Sequence, residues 1–327
     1  MNAGLGPVTT GARQRLTGHY GPDANRWLDS VPGVIDAAAT AWNLNVTGYR
    51  DAGCASVIEL ACDNERTPYV IKAWYDPGRY RREVAALRRW APRLAPDVTH
   101  AADHLAAAAM RLVADGPGGA AAPADEYDAV AHGLRRLHSR AMAPMAFLSL
   151  ASYIEGEVLP RIHRRAVAIG ARVPESCLLR SMAAVDRLPT RRDEAVLLHA
   201  DLYRENVLFG PDGSPVFIDP LPMVGDLVFD WPFWTVDYGP GRDPSERLLT
   251  AVRLGGIGIA RLLPRRYQRL SSRFSDREAN TRRCRRVSDN RLAARRTRLW
   301  CLRRQTVHRV RCLARPTGSA RQASGRD

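Results

Sequence analysis

Hydrophobic and polar positions change period several times along the chain, and each change predicts an element. Val46–Arg50 and Ser56–Ala61 are short β-favouring runs, which predicts two strands around the loop Asp51-Ala52-Gly53-Cys54-Ala55. The polar stretch Cys62–Pro68 turns the chain into a third strand, Tyr69–Trp74. Gly78–Trp90 reads as a helix, because Tyr80, Val84 and Leu87 fall on one face at helical spacing. Val98–Asp103 and Ala106–Val113 predict two more strands, completing a five-stranded antiparallel sheet. Upstream, Met1–Arg15 is rich in Gly and Thr and reads as loose chain. Two helices follow it, Asp23–Leu28 and Pro32–Trp42, since Pro32 suits a first helical position and Ile35, Ala39 and Trp42 form a stripe.

Past the sheet, Ala114-Asp115-Gly116-Pro117-Gly118-Gly119 is a natural hinge, and Ala121–Ala124 a linker. Asp125–Ser139 then carries a helical stripe of Tyr127, Val130, Leu134 and Leu137, and Leu148–Ile169 and Glu175–Leu188 predict further helices. Period-two patterning returns at Val207-Leu208-Phe209 and Val216-Phe217-Ile218, which flank the turn formers Gly210-Pro211-Asp212-Gly213-Ser214 and predict a β-hairpin. With Val207 paired to Ile218 and Phe209 to Val216, Asn206 faces Asp219 with Cβ atoms roughly 5 Å apart. Phe229–Tyr238 is aromatic and apolar and reads as core, with Asp230 placed at a helix start to brace a neighbouring loop by accepting backbone N–H bonds. His138 reads as packed or capping.

Composition changes the picture in two places. The chain has 327 residues and a net charge of +15. From Arg261 onward there are twenty-one arginines against four acidic residues, a net of +17, so residues 1–260 carry a net of −2. The body is nearly neutral and the tail holds the excess. Of the 49 basic residues only Lys72 is a lysine, which marks a site that needs a compact ammonium in place of a planar guanidinium. The six cysteines show no paired or metal-like spacing, Met1–Leu16 lacks a signal-peptide pattern, and no apolar run is long enough for a membrane span. A cytoplasmic protein with reduced thiols is expected.

The chemistry concentrates between Leu198 and Asp230. An amide oxygen on Asn206 and a carboxylate on Asp219 suit a hard cation such as Mg²⁺. Asp201, on the tight His199-Ala200-Asp201 turn, can point into the same space as a base. A base and two Mg²⁺ ligands are the minimum for moving the γ-phosphoryl group of ATP onto a hydroxyl.

These residues carry a family resemblance. His199-Ala200-Asp201-Leu202-Tyr203-Arg204-Glu205-Asn206, Ile218-Asp219-Pro220 and Val224-Gly225-Asp226 resemble the aminoglycoside phosphotransferase family of the protein-kinase-like fold, most of all its streptomycin 6-phosphotransferase and hydroxyurea phosphotransferase branch. The resemblance implies an α+β bilobal fold: a nucleotide-binding lobe over residues 1–116 with the five-stranded sheet plus a helix, and a mainly helical catalytic lobe over 117–260 with the hairpin. It implies ATP and Mg²⁺, a small-molecule hydroxyl acceptor such as an antibiotic, and Asp201 as catalytic base with Asn206 and Asp219 on the metal. Lys72 would hold the phosphates, steadied by Glu83, which alternatively pairs with Arg79 four residues earlier. Gly53 and Ser56 would border the phosphate-covering loop, although the protein-kinase glycine pattern is missing there. Ala114 would lie in the hinge that takes the adenine edge, where Val113 stands in place of the acidic residue usual in relatives.

Other classes remain open at this point. A Mg²⁺-dependent phosphohydrolase could use His199, Asp201 and Asp219 as ligands, and a kinase-like protein with an altered terminus could be catalytically impaired. The Arg-rich residues 261–327 read as a divergent, disordered terminus, as a basic helix around Leu292–Leu313, or as an arm for nucleic acid or an anionic membrane; scarce aromatics argue against nucleic acid.

Overall fold

Five antiparallel strands form the frame on which the first half of the chain is built: β1 (Asn45–Arg50), β2 (Ser56–Cys62), β3 (Pro68–Trp74), β4 (Val98–Ala102) and β5 (Ala107–Arg111). Their order is β1-β2-β3-β5-β4, with every neighbouring pair antiparallel. The computed structural model describes residues 7–50, 55–116, 118–139, 147–160, 195–238 and 243–256. Residues 51–54 with Gly53, the helix expected at Glu175–Leu188 and the whole tail 261–327 lie outside the described residues.

Alternation along the strands gives the sheet two chemically different faces. Val57, Ala61, Ile71, Ala73, Ala107 and Ala109 point to one side, where they pack with Leu16, Leu28, Val31 and Ile35 of two N-terminal helices. Trp74, Ala108 and Met110 point to the other, where α3 (Pro77–Trp90) contributes Tyr80, Val84, Leu87 and Trp90. Lys72 shares that second face, opposite Ile58 on β2 and Ala108 on β5.

The N-terminal helices differ from the sequence expectation in two ways. The stretch expected to be loose, Met1–Arg15, is helical from Thr10, where α1 (Thr10–Tyr20) begins after Thr9, whose hydroxyl accepts the Ala12 N–H at 3.3 Å. It buries Ala12 and Leu16, four apart, and its Tyr20 hydroxyl donates to the Ala55 carbonyl at 2.9 Å. The two short helices expected next are one, α2 (Ala24–Ala41), which runs through Pro32. An interior proline costs about 3 kcal/mol. The stripe of Ala24, Leu28, Val31, Ile35, Ala38 and Ala39 is buried on the sheet, and each large member contributes about 1.5–3 kcal/mol. Packing therefore outweighs the proline.

A continuous apolar core carries the second face of the sheet into the rest of the molecule. It joins α3 to Leu134 and Leu137 of α4 (Glu126–His138), to Phe217 of the hairpin, and to Trp231 and Trp234. The hairpin consists of β8 (Val207–Phe209) and β9 (Pro215–Phe217), following β6 (Leu148–Ser149) and β7 (Val196–Leu198). Strands β6 and β7 flank β10 (Met223–Gly225) in a small mixed sheet. Gly133 lets α4 approach the hairpin, since a Cβ there would sit 2.7 Å from Pro215 and 3.0 Å from the Phe217 ring. Of the helix expected from Leu148, the described part is a short helical turn, Leu150–Tyr153, that widens into a π-helical turn. A last described helix, α5 (Pro244–Gly255), packs on α4. Among the described residues no helix is long and apolar enough to cross a membrane.

One acidic side chain sits in the face covered by the N-terminal helices. Glu59 is buried, its Oε2 has no hydrogen-bond partner among the described residues, and burial raises its pKa to about 7. Between the ordinary carboxylate value and 7 the folded chain holds a proton that the unfolded chain has released, so stability falls as pH rises through that window. Replacing Glu59 with Gln is expected to remove this loss. Thermal melts at pH 5 and pH 8 should show wild type dropping by several degrees more than Glu59→Gln, about 1–3 kcal/mol of differential stability.

Candidate active site

Strand β3 delivers the lone lysine to a buried position where three charged side chains meet. Lys72 Nζ hydrogen-bonds to Glu83 Oε1 on α3 and to Asp219 Oδ1 at 2.7 Å. Burial disfavours its charge, but the two carboxylates overcome that cost and hold its pKa above the usual lysine value. Asp219 responds in the opposite sense: burial is offset by Lys72, then by Arg79 and His199, and its carboxyl lies below the usual range. The second oxygen of Glu83 accepts the Trp74 indole N–H at 2.8 Å, and the Lys72 ammonium lies 4.9 Å from the Trp74 ring centroid. Glu83 is therefore a buried member of this cluster, and Arg79 approaches it only to 3.9 Å. Trp74 was missed from the sequence, although its place two residues after Lys72 puts it on the same strand face.

The hairpin register differs from expectation by one residue. Val207 pairs with Phe217, Leu208 with Val216 and Phe209 with Pro215. The cause is the loop. Gly210 N–H donates to Ser214 C=O and Gly213 N–H to Gly210 C=O, both at 2.9 Å, with Gly213 at φ +75°. A left-handed glycine after a tight turn absorbs one extra residue and shifts the pairing. Asn206 consequently faces Ile218, whose N–H donates to the Asn206 carbonyl at 2.9 Å. Asp219 is not its cross-strand partner. Instead Asp219 adopts φ +54°, a left-handed backbone that leaves the strand and brings its carboxylate to Lys72.

Asn206 meets Asp201 directly. Its amide nitrogen donates to the Asp201 carbonyl at 2.7 Å and to Asp201 Oδ2 at 3.3 Å. A carbonyl can only accept, so the amide is oriented by this contact and its Oδ1 is left for a cation. The amide oxygen of Asn206 and the carboxylate of Asp219 are both hard donors of the kind Mg²⁺ prefers, and they fit that ion. Among the described residues there is no cluster of three His, Cys, Asp or Glu that could make an all-protein metal site.

The turn that carries Asp201 is held from below. Asp230, fully buried, accepts the His199 N–H at 2.8 Å, the Ala200 N–H at 2.8 Å and the His138 Nε2–H at 2.9 Å. Ala200 sits at φ +56°, a conformation that costs a non-glycine residue about 1–2 kcal/mol and that these bonds enforce. His199 Nε2 donates to the Ile218 carbonyl at 3.0 Å, tying the Asp201 turn to the residue before Asp219. Burial lowers the His199 pKa, and its ring stacks on Trp90 with centroids 6.1 Å apart.

The remaining candidates lie around this centre. Ser56 is buried at the start of β2, opposite Trp74. Ala114 occupies a turn at Val113–Asp115 with φ +52°, and the chain after it is pinned to the hairpin by the Ala120 N–H, which donates to the Phe209 carbonyl at 2.8 Å.

With this geometry in place, the sequence profile of the phosphotransferase enzyme family matches residues 63–264, and the chain belongs to that family. It is a phosphotransferase of the protein-kinase-like fold. Two relatives are similar over about two thirds of the chain. A streptomycin 6-kinase of Streptomyces glaucescens is 25% identical over 218 residues, 65% of this chain and 69% of the relative. A streptomycin 6-kinase of Streptomyces griseus is 26% identical over 231 residues, covering 69% and 73%. The crystal structure of the macrolide 2'-phosphotransferase MphH from Brachybacterium faecium shares the fold, with a TM-score of 0.50 and 18% identity over 73% of this chain and 87% of that one.

Asp230→Asn is expected to set an amide N–H₂ against at least one of three donors. Urea denaturation should register a loss of at least about 2 kcal/mol. A variant as stable as wild type would show that the Asp201 turn does not depend on this carboxylate.

Proposed function

We propose that the protein is an ATP- and Mg²⁺-dependent O-phosphotransferase that inactivates a small-molecule antibiotic of the streptomycin type, or hydroxyurea, by phosphorylating a hydroxyl. The observation that carries this reading is the Lys72 ammonium held between Glu83 and Asp219, the latter 147 residues away in sequence, with His199 tying the Asp201 turn to Ile218, the residue before Asp219. Residues 1–116 are taken as the nucleotide-binding lobe and 117–260 as the catalytic and acceptor lobe. Names of the two kinase relatives support the acceptor class. Membership of a phosphotransferase family favours transfer over ester hydrolysis.

In the proposed mechanism Asp201 accepts the proton of the acceptor hydroxyl as its oxygen bonds to the γ-phosphorus. The bond from that phosphorus to the β,γ-bridging oxygen breaks, and ADP leaves. Lys72, fixed by Glu83 and through it by Trp74, holds the α- and β-phosphates. Asn206 and Asp219 would hold Mg²⁺, which supplies charge neutralisation on the β- and γ-oxygens. Ser56 borders the phosphate site, with Gly53 in the loop before it, and the backbone near Ala114 takes the adenine edge. Little covalent chemistry falls to the protein; positioning and preorganised charge supply most of the rate.

Mass spectrometry of a panel of aminoglycosides and hydroxyurea, incubated with protein, ATP and Mg²⁺, is expected to show one compound gaining a single phosphoryl group. Asp201→Asn should reduce that transfer by about 10²–10⁴-fold while ATP still binds. Lys72→Ala should raise the KM for ATP. Normal turnover in Asp201→Asn would remove it from the mechanism, and phosphate release from simple esters without ATP would favour the hydrolase.

A further inference from the structure

Arg79 is the cation in this site whose hydrogen-bonding capacity is left unused. It stands on the first turn of α3, one turn before Glu83, with its side chain largely buried. Its Nε is fully covered and has no acceptor among the described residues. The nearest carboxylate oxygen, Glu83 Oε2, is 3.9 Å away, beyond hydrogen-bonding distance, and already accepts the Trp74 indole N–H. The other Glu83 oxygen is taken by Lys72. Lys72, in turn, is committed to two carboxylates, whereas the Arg79 Nε–H has no acceptor among the described residues.

A buried guanidinium with an unpaired donor costs stability unless an anion completes it. The chain of contacts says where that anion would lie. Arg79 stands 3.9 Å from Glu83, Glu83 holds Lys72, and Lys72 holds Asp219 Oδ1 at 2.7 Å, so the guanidinium borders the same charged cluster. It is therefore near both the proposed phosphate anchor and the proposed metal ligand. The group that must occupy the space beside those two is the phosphoryl group in transit. A planar fork of N–H donors matches the oxygens of a phosphate, and a cation aimed there acts where charge redistributes during transfer.

We propose that Arg79 binds the terminal phosphoryl group of the nucleoside triphosphate, discriminating triphosphate from diphosphate. The inference rests on the phosphotransfer reading above. It gives Arg79 a direct contact with substrate, distinct from the support that Glu83 gives Lys72.

Isothermal titration calorimetry with Mg²⁺ and either ADP or a non-hydrolysable ATP analogue tests this on wild type, Arg79→Met and Arg79→Lys. Wild type is expected to bind both nucleotides. Arg79→Met should bind ADP within about twofold of wild type but lose about tenfold or more in affinity for the triphosphate analogue, with Arg79→Lys between them. The retained ADP binding also shows that the variants are folded. Equal weakening toward both nucleotides, or weakening toward neither, overturns the inference while leaving the phosphotransfer reading intact. Wild-type protein that binds neither nucleotide overturns both.

Discussion

The ion cluster at Lys72 is the constraint around which the structure is arranged. A buried ammonium is costly unless its partners are close and fixed. One partner comes from α3 and the other from a residue 147 positions further on, so the cluster forms only when sheet, helix and hairpin are all in place. Trp74 steadies it from the same strand by donating to the far oxygen of Glu83. Charges that would each be unfavourable alone keep one another ionised, with Lys72 shifted up and Asp219 shifted down.

A second cluster, centred on Asp230, does for the Asp201 turn what Glu83 does for Lys72. Two adjacent backbone N–H groups and the His138 ring converge on one buried carboxylate. That convergence holds Ala200 in a left-handed conformation and so sets the direction in which Asp201 leaves the turn. His199 then connects this turn to Ile218, so the two halves of the candidate site share one rigid support. The Phe217 N–H adds a further tie, donating to the Leu94 carbonyl at 2.8 Å and linking the hairpin to the segment that follows α3.

The N-terminal helices have a different role. They close the sheet face that points away from the site, and through Tyr20 they anchor Ala55 at the start of β2, next to Ser56. A strand whose two faces are both covered cannot easily tilt, and β3 is such a strand. This places Lys72 on a stiff element, as a group that must meet two carboxylates at hydrogen-bonding distance requires.

The sequence by itself determined the five strands, α3 and α4, because their apolar periods are strong and turn residues bound them. It also singled out Lys72, as the chain's one lysine, and anticipated Asp230 as a brace. Its local signals failed where long-range packing or backbone handedness decides. Pro32 signals a helix start, yet burial of the stripe from Leu28 to Ala39 carries one helix through it. The hairpin was legible but its register was not, because parity depends on whether Gly213 turns left-handed. Asp219 reaches Lys72 by its own positive φ, a conformation that its residue type does not announce. The contact Trp74 makes with Glu83, and the approach of Arg79 to the same carboxylate, exist only once β3 and α3 are packed together; side-chain partners chosen by three-dimensional proximity leave no periodic trace in a sequence.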